Sequence, residues 1–488
     1  HYLLEEEGFS ATLSGRDTIG GASCHVLELL PEEGTPCRLY IDEETHLPVR
    51  LSMRTKNGPM HETYGDYRPV GGVMFPHFSR MEQLSMNQTI EVRVRSIALN
   101  EAFDPLLFLP PPGSVDDYSF TAGGGSAMVP FTLYDRHIYV PVRLHGTEEE
   151  LMFMLDSGAG MTVIDSTLAA RMGFPLGERL LGAGAGGTAH FHMTRIDGFS
   201  IEGVSFKGQT VIAYPLRDLL QRFVDIDVAG ILGYDFLSRF IARIDYEKGV
   251  LTLFEPDSAD SGASIEAPLV NNIFGVACTL DGRCEGTFLI DTGAGNSLLH
   301  KGFAEEHHLL EDREMLEISI MGAGGEESAY ISRFDSFEIG GVVIEEPLFA
   351  IATTERGIGA LTGISGIIGN DILQRFTVTL DYRNQMIGLE KNRFFDHPAA
   401  KDRSGITLER DDSGRVSIHR IVPGSPAEEA GLLPGDIILS IDGRAAGEFG
   451  SMEDMIGCFR VREQREIEIT IEREGERMLV SLTLRDYL

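Results

Sequence analysis

Short alternations of apolar and polar residues dominate this chain, and they predict strands rather than helices. Residues 23–30, 38–41 and 90–97 alternate with period two, as half-buried strands do. Phe153-Met154-Leu155 and Phe288-Leu289-Ile290 are continuously apolar instead, which suits buried strands. Each runs directly into an Asp, a hydroxyl residue and a Gly. Residues 417–422, 466–471 and 478–484 predict further strands, with a short helix over 427–430 stopped by Gly431. Breaks lie between these stretches. Leu109-Pro110-Pro111-Pro112-Gly113 ends a first β-rich unit, and 121–126, with three consecutive glycines, completes a linker. Polar residues 257–264 form a second join, and the pattern changes again past about 392. These breaks predict four units, at 1–114, 127–256, 265–392 and 401–488.

The two middle units repeat one another. The run from Phe153 through Asp156-Ser157-Gly158-Ala159-Gly160 matches the run from Phe288 through Asp291-Thr292-Gly293-Ala294-Gly295, at an offset of 291 − 156 = 135. Ile231-Leu232-Gly233-Tyr234-Asp235 matches Ile367-Ile368-Gly369-Asn370-Asp371 at 369 − 233 = 136, and Asp245-Tyr246 keeps that offset to Asp381-Tyr382. Gly182-Ala183-Gly184 and Gly322-Ala323-Gly324 recur at 322 − 182 = 140. Three matched stations in one order predict two similar lobes.

Composition adds limits on partners. The 488 residues are 42% hydrophobic and include 56 Gly, as expected of a turn-rich globular β protein. A formal net charge of -34, spread along the chain, sets it against nucleic acid and anionic membranes. No apolar stretch is long enough for a transmembrane span. The chain opens at His1 rather than Met, which leads us to expect a processed start with an export signal upstream. Cys24, Cys37, Cys278, Cys284 and Cys458 make no disulfide framework and no CxxC metal spacing. Cys278 and Cys284 flank an Asp281-Gly282 turn, and either face each other across a hairpin or stay as free thiols. The Cys24–Cys37 pair is open in the same way.

The chemistry sits at the repeated Asp. A strand ending in Asp-Ser/Thr-Gly presents a carboxylate at a tight turn, for which Gly158 and Gly293 supply backbone freedom. Ser157 and Thr292 place a hydroxyl within reach of the opposite loop. Two such loops face to face hold carboxylates that cannot both ionise, so one proton is shared. The ionised partner activates a water and the protonated one donates to a scissile carbonyl. That is peptide hydrolysis by general acid–base chemistry, with no metal, cofactor or covalent intermediate. A lone Asp-Thr-Gly is a common turn. Two of them, followed at 233 − 156 = 77 and 369 − 291 = 78 by an apolar-apolar-Gly station, are far more specific.

Over residues 127–392 these motifs resemble the retropepsin-like aspartic proteases. The resemblance implies a mainly β fold, with two retropepsin-like acid-protease lobes forming one bilobal unit in a single chain, as in pepsin. It implies an aspartic endopeptidase acting on protein or peptide substrates, with Asp156 and Asp291 catalytic. Ser157, Gly158, Thr292 and Gly293 would support the pair. Gly182, Gly184, Gly322 and Gly324 would lie in flaps that close over substrate. Ala159 and Ala294 stand where pepsin-like enzymes usually carry a hydroxyl residue. Losing that hydrogen bond to the ionised form should raise the carboxylate pKa and give a mildly acidic to neutral optimum. The departures are Ser157 in place of the commoner Thr, flaps of unequal length, and no equivalent of the pepsin flap tyrosine.

The flanks carry resemblances of their own. Val422-Pro423-Gly424-Ser425-Pro426-Ala427, then Ala430-Gly431-Leu432 and Pro434-Gly435-Asp436-Ile437-Ile438, resemble a bacterial PDZ domain. That implies a peptide C-terminus added as a strand, its carboxylate held by the amides of Ser404, Gly405 and Ile406. Tyr40-Ile41-Asp42, Thr45, Leu47, Tyr67-Arg68, Gly71-Gly72-Val73 and Phe75-Pro76 are similar to the half-barrel of bacterial outer-membrane lipoprotein carriers. This implies an N-terminal β half-barrel-like domain, an acyl-chain or lipoprotein partner, and a periplasmic or cell-envelope location. A spacer or docking role without lipid is the alternative. His190 and His192 share a strand face without a third ligand, so no metal site is expected. Two rivals to the protease reading stand beside it. One is a non-catalytic peptide- or lipid-binding envelope protein on the same scaffold, and the other is a homodimer pairing equivalent lobes between chains.

Overall fold

The computed structural model describes residues 9–31, 36–55, 58–83, 88–99, 117–121, 123–184, 187–256, 261–311, 313–322, 325–354, 363–396, 402–411, 413–461 and 464–487. The Pro-rich stretch 109–113, residues 257–260 of the second join and the flap residue Gly324 lie outside them. The chain divides into two compact units, the first ending at Ser114 and the second beginning at Val115.

In the first unit, seven strands run in simple order, Phe9–Ile19, Ala22–Pro31, Cys37–Asp42, Pro48–Thr55, Gly58–Val70, Val73–Gln83 and Gln88–Arg93. Each is antiparallel to the next, a topology that tight turns alone can connect. Gly20-Gly21 and Gly71-Gly72 make two of those turns, with φ of 58° and 92°, and of 57° and 88°. Cys24, Val26 and Leu29 are buried on the second strand. The last strand stops at Arg93, short of the predicted 97.

In the second unit, the repeat becomes two mainly antiparallel sheets, each with two parallel pairings, one of which carries the repeated stations. Leu151–Leu155 lies parallel to Val228–Leu232, with Leu155 opposite Leu232. Cys284–Ile290 lies parallel to Gly366–Ile368, with Ile290 opposite Ile368. The two sequence stations, 77 and 78 residues apart (233 − 156; 369 − 291), are therefore neighbouring strands in space. Their side chains feed one core holding Val140, Phe153, Leu155, Phe236, Phe288, Ile290 and Ile368.

A third sheet joins the lobes. Its order is Ile265–Glu266, Met386–Lys391, Phe376–Asp381, Ile241–Asp245, Val250–Phe254 and Ser126–Pro130, three strands from each lobe. The central pairing sets Ile241 against Asp381, Arg243 against Thr379 and Asp245 against Thr377. Arg243 and Thr379 are themselves equivalent in the repeat (379 − 243 = 136). The lobes thus meet through equivalent residues, as the subunits of a twofold dimer do, but inside one chain.

The last 85 or so residues build a smaller sheet, Ile406–Arg410, Val416–Ile421, Ile437–Ile441, Glu466–Arg473 and Glu476–Thr483, with its own core of Ile418, Met455, Phe459 and Ile469. Ile406–Arg410 forms the edge of this sheet. The predicted helix appears as Pro426–Glu429, capped by Ser425 and stopped by Gly431 at φ 78°. Helix Met452–Gly457 follows later. All five cysteines are free. The hairpin around Asp281 exists, but its register sets Cys284 against Leu280 and Cys278 against Gly286, so those two sulfurs are not opposed.

Candidate active site

The two repeated loops meet at the junction of the lobes. Each is tied first to the station behind it: the Asp156 amide donates to the Leu232 carbonyl and the Asp291 amide to the Ile368 carbonyl, both at 3.0 Å. The loops are then locked to one another. The Ser157 amide donates to Thr292 Oγ1 and the Thr292 amide to Ser157 Oγ, each at 3.0 Å. Ser157 Oγ in turn donates to the Ile290 carbonyl at 2.9 Å, and Thr292 Oγ1 to the Leu155 carbonyl at 3.0 Å. Both hydroxyl residues are buried, so these four bonds satisfy groups that would be costly left alone.

Gly158 and Gly293 are required for a different reason than the one expected. Neither has a positive φ. A Cβ on Gly158 would lie 2.6 Å from Asp291 Cγ, and one on Gly293 would lie 2.3 Å from Asp156 Cγ. Each carboxyl rests on the glycine of the opposite loop, which is what brings the two acids together. The acids also fold back on their own loops. Asp156 Oδ1 accepts from the amides of Gly158 and Ala159 at 2.8 and 2.9 Å, and Asp291 Oδ1 from Gly293 at 2.8 Å.

The two acids differ electrostatically. Burial, the charge of Asp291 and the hydrogen bond between them push the Asp156 carboxyl well above the usual carboxylate range. Burial raises Asp291 as well, but the Gly293 amide, the hydrogen bond with Asp156 and nearby His137 oppose it. Both carboxyls are thus raised, and their titration belongs to the pair rather than to either residue.

A second layer escaped the sequence reading. In lobe 1, Asp235 accepts from the Thr162 amide and Oγ1 at 2.7 and 2.8 Å. In lobe 2, Ser297 Oγ donates to Asp371 at 2.6 Å and accepts from the Gly369 amide at 3.0 Å. Thr162 and Ser297 stand at the same point of the repeat (297 − 162 = 135), so the alignment that revealed Asp156 and Asp291 held this signal too. Gly233 and Gly369 sit where a Cβ would come within 2.7 Å of Met161 and Asn296 backbone atoms, which explains the glycine at each station. His137 was also missed. Its hairpin, Thr132–Tyr134 with His137–Leu144, carries Asp135 and Arg136 at its turn, and Arg136 bonds Asn296 of the other lobe. The His137 ring lies against Gly295, and its Nδ1 is buried without a hydrogen-bond partner.

Gly182 and Gly184 lie on Leu176–Gly184, paired with Gly187–Ile201, and Gly322 ends Leu316–Gly322, paired with Gly325–Arg333. The hairpins differ in length, as expected, and the first is the longer. His192 bonds the Gly177 carbonyl through Nδ1 at 2.9 Å within the first. The Ser404-Gly405-Ile406 turn is not an open cradle. The Ser404 and Gly405 amides donate to the Asp402 carboxylate at 3.2 and 2.7 Å, and the Ile406 amide to Ser404 Oγ at 3.1 Å. Asp402 thus stands where a peptide carboxylate was expected.

Comparison with known proteins agrees with this architecture. Residues 140–236 and 276–372 each match the family model described as aspartyl protease, and residues 417–473 match the PDZ domain model. The chain thus has two aspartyl-protease-like lobes and a C-terminal PDZ domain. A Marinomonas sp. protein described as a DegP-like periplasmic serine endoprotease is 35% identical over 74 residues, 15% of each chain. A Thermotoga maritima protein described as a zinc metalloprotease is 40% identical over 70 residues, 14% of this chain and 13% of that one. The match therefore spans about a seventh of these relatives' length. Among solved structures, the aspartic proteinase from Irpex lacteus aligns over 56% of this chain and 99% of its own, at 12% identity and a TM-score of 0.37.

Proposed function

We propose that the chain is an aspartic-type endopeptidase that cuts protein substrates through a water activated by Asp156 and Asp291. The observation that carries this reading is the reciprocal lock of Ser157 and Thr292, which presses each carboxyl onto the opposite glycine. One proton is shared by the pair; we write Asp156 as the protonated partner and Asp291 as the base. The water oxygen attacks the scissile carbonyl carbon as its proton passes to Asp291, and Asp156 gives its proton to the carbonyl oxygen. The resulting diol collapses when Asp291 returns a proton to the amide nitrogen. The C–N bond breaks, and a diol hydroxyl proton restores Asp156. The raised Asp156 supports a mildly acidic to neutral optimum.

The flanks complete the proposal. The edge strand Ile406–Arg410 offers backbone groups to a protein segment, so the PDZ domain recruits substrate or regulates access. The likeness of both flanks to bacterial envelope domains, with a relative described as periplasmic, supports a periplasmic or cell-envelope location. The N-terminal sheet would then meet an acyl chain or lipoprotein. No helix among the described residues is long and apolar enough to cross a membrane.

The test is incubation with a denatured protein and mass analysis of the products. New termini within the substrate, formed equally in the presence of a chelator, are expected. Substrate bound but returned intact under all conditions would instead establish the scaffold reading.

A further inference from the structure

A short segment of lobe 1 lies in the ligand edge of the PDZ domain. It follows helix Leu216–Leu220, whose last turn continues as the Phe223 and Val224 amides bond the Leu220 carbonyl. The Arg222 carbonyl accepts from the Arg410 amide at 2.8 Å, at the far end of the edge strand Ile406–Arg410. The Asp225 carboxylate accepts the Met452 amide, where helix Met452–Gly457 begins, and pairs with the Arg410 guanidinium at 3.0 Å. Tyr134 holds Asp225 from the lobe 1 side with a 3.0 Å hydrogen bond. The Arg222 guanidinium meets Glu409 at 3.4 Å, and the Phe223 ring sits edge-on to His419 with centroids 5.1 Å apart. One carboxylate thus bridges the end of the edge strand and the start of the helix. The other end of that strand is closed by Asp402.

The same PDZ domain also reaches the other lobe. On strand Val416–Ile421, Arg420 stands 3.9 Å from Glu317 and 4.0 Å from Glu326, and His419 stands 4.0 Å from Glu326. Both glutamates belong to the lobe 2 hairpin, and Glu326 adjoins Gly325, which pairs with Gly322 at its tip. His419 therefore lies between Phe223 of lobe 1 and Glu326 of lobe 2.

We propose that the PDZ edge is a docking surface for this chain's own 222–225 segment, and that docking of this segment, by tethering the PDZ domain to lobe 1, holds the lobe 2 hairpin through His419 and Arg420. The external ligand that fits is an extended protein segment bearing a carboxylate side chain. It would take over the Arg410 amide and guanidinium and the Met452 amide from Arg222 and Asp225. Strand addition supplies the backbone bonds, and the acidic side chain replaces Asp225. The contacts are partly exposed ion pairs and single hydrogen bonds, each weak, so the segment is displaceable. The inference rests on the protease reading only in calling the hairpin a flap.

Amide hydrogen exchange on the whole chain tests it without recourse to cleavage, so its failure and that of the protease reading are separate results. In the native chain the Arg410 amide is expected to be protected. Asp225→Ala should expose it and speed exchange across 316–322 and 325–333 by about fivefold or more, leaving 151–155 unchanged. Arg420→Ala, cut from the other side, should loosen the hairpin and leave Arg410 protected. A doubly capped peptide of residues 220–227, added in excess, should loosen the hairpin of the native chain, and its Asp225→Asn form should do so less. An unprotected Arg410 in the native chain, or a hairpin indifferent to both substitutions and to the peptide, would overturn the proposal.

Discussion

At the scale of single residues, two carboxyls sit in unlike surroundings. The Asp156 carboxyl is raised by burial and by Asp291, so the folded chain holds a proton that the unfolded chain has already released. That difference weakens the fold as pH rises from the unfolded value of about 3.9 through the folded pKa. Asp156→Asn, which cannot ionise, should therefore raise Tm by a few degrees at pH 7 and leave it nearly unchanged at pH 3.5. An equal shift at both pH values would mean that the carboxyl is not raised. His137 acts in the opposite sense on Asp291. His137→Leu should raise the Asp291 pKa and move the acidic limb of kcat/KM to higher pH, with the far limb in place. A profile that loses height without moving would make His137 a packing residue.

At the scale of elements, the lock between the loops is built from four bonds to two buried hydroxyls. Thr292→Val keeps the shape and removes both roles of Oγ1, leaving the Ser157 amide and the Leu155 carbonyl unsatisfied. A loss of about 2–4 kcal/mol in denaturant unfolding is expected, with activity falling further than stability. Thr292→Ser should restore most of both. The repeat made these loops legible, because equal spacing of Asp156 and Asp291 from their Gly stations is what a parallel strand pair imposes. The same arithmetic exposes Thr162 with Asp235 and Ser297 with Asp371 once one looks for it. What stayed hidden has no period. Gly158 reads as a flexible turn residue, and only the opposing carboxyl shows that it is a matter of space. Asp402 filling the Ser404-Gly405 amides is a local bond that no spacing announces. The Cys278–Cys284 register depends on the turn including Arg283, so that Leu280 faces Cys284.

At the scale of the whole molecule, the two protease lobes are one cooperative object. The six-stranded sheet takes three strands from each, and Ile241–Asp245 pairs with Phe376–Asp381 along its length. Lobe 1 expressed alone, as 127–256, would expose the edge of Ile241–Asp245 and the apolar surface beneath it. It is expected to aggregate or to pair with a second copy through that edge, and a well-behaved monomer would contradict the shared-core account. The repeat predicts two lobes without saying whether they pair within or between chains. In the structure the Ser157–Thr292 lock and the central strand register join the two lobes of one chain.

In the proposed mechanism Asp156 and Asp291 act as one unit on water. It is tested most directly by cleavage of an unfolded protein across pH 3 to 8, with the native chain, Asp156→Asn and Asp291→Asn compared at equal folded concentration. The account predicts activity in the native chain and its loss, by at least about a thousandfold, in either single variant. Substantial cleavage by either variant would contradict the two-aspartate mechanism.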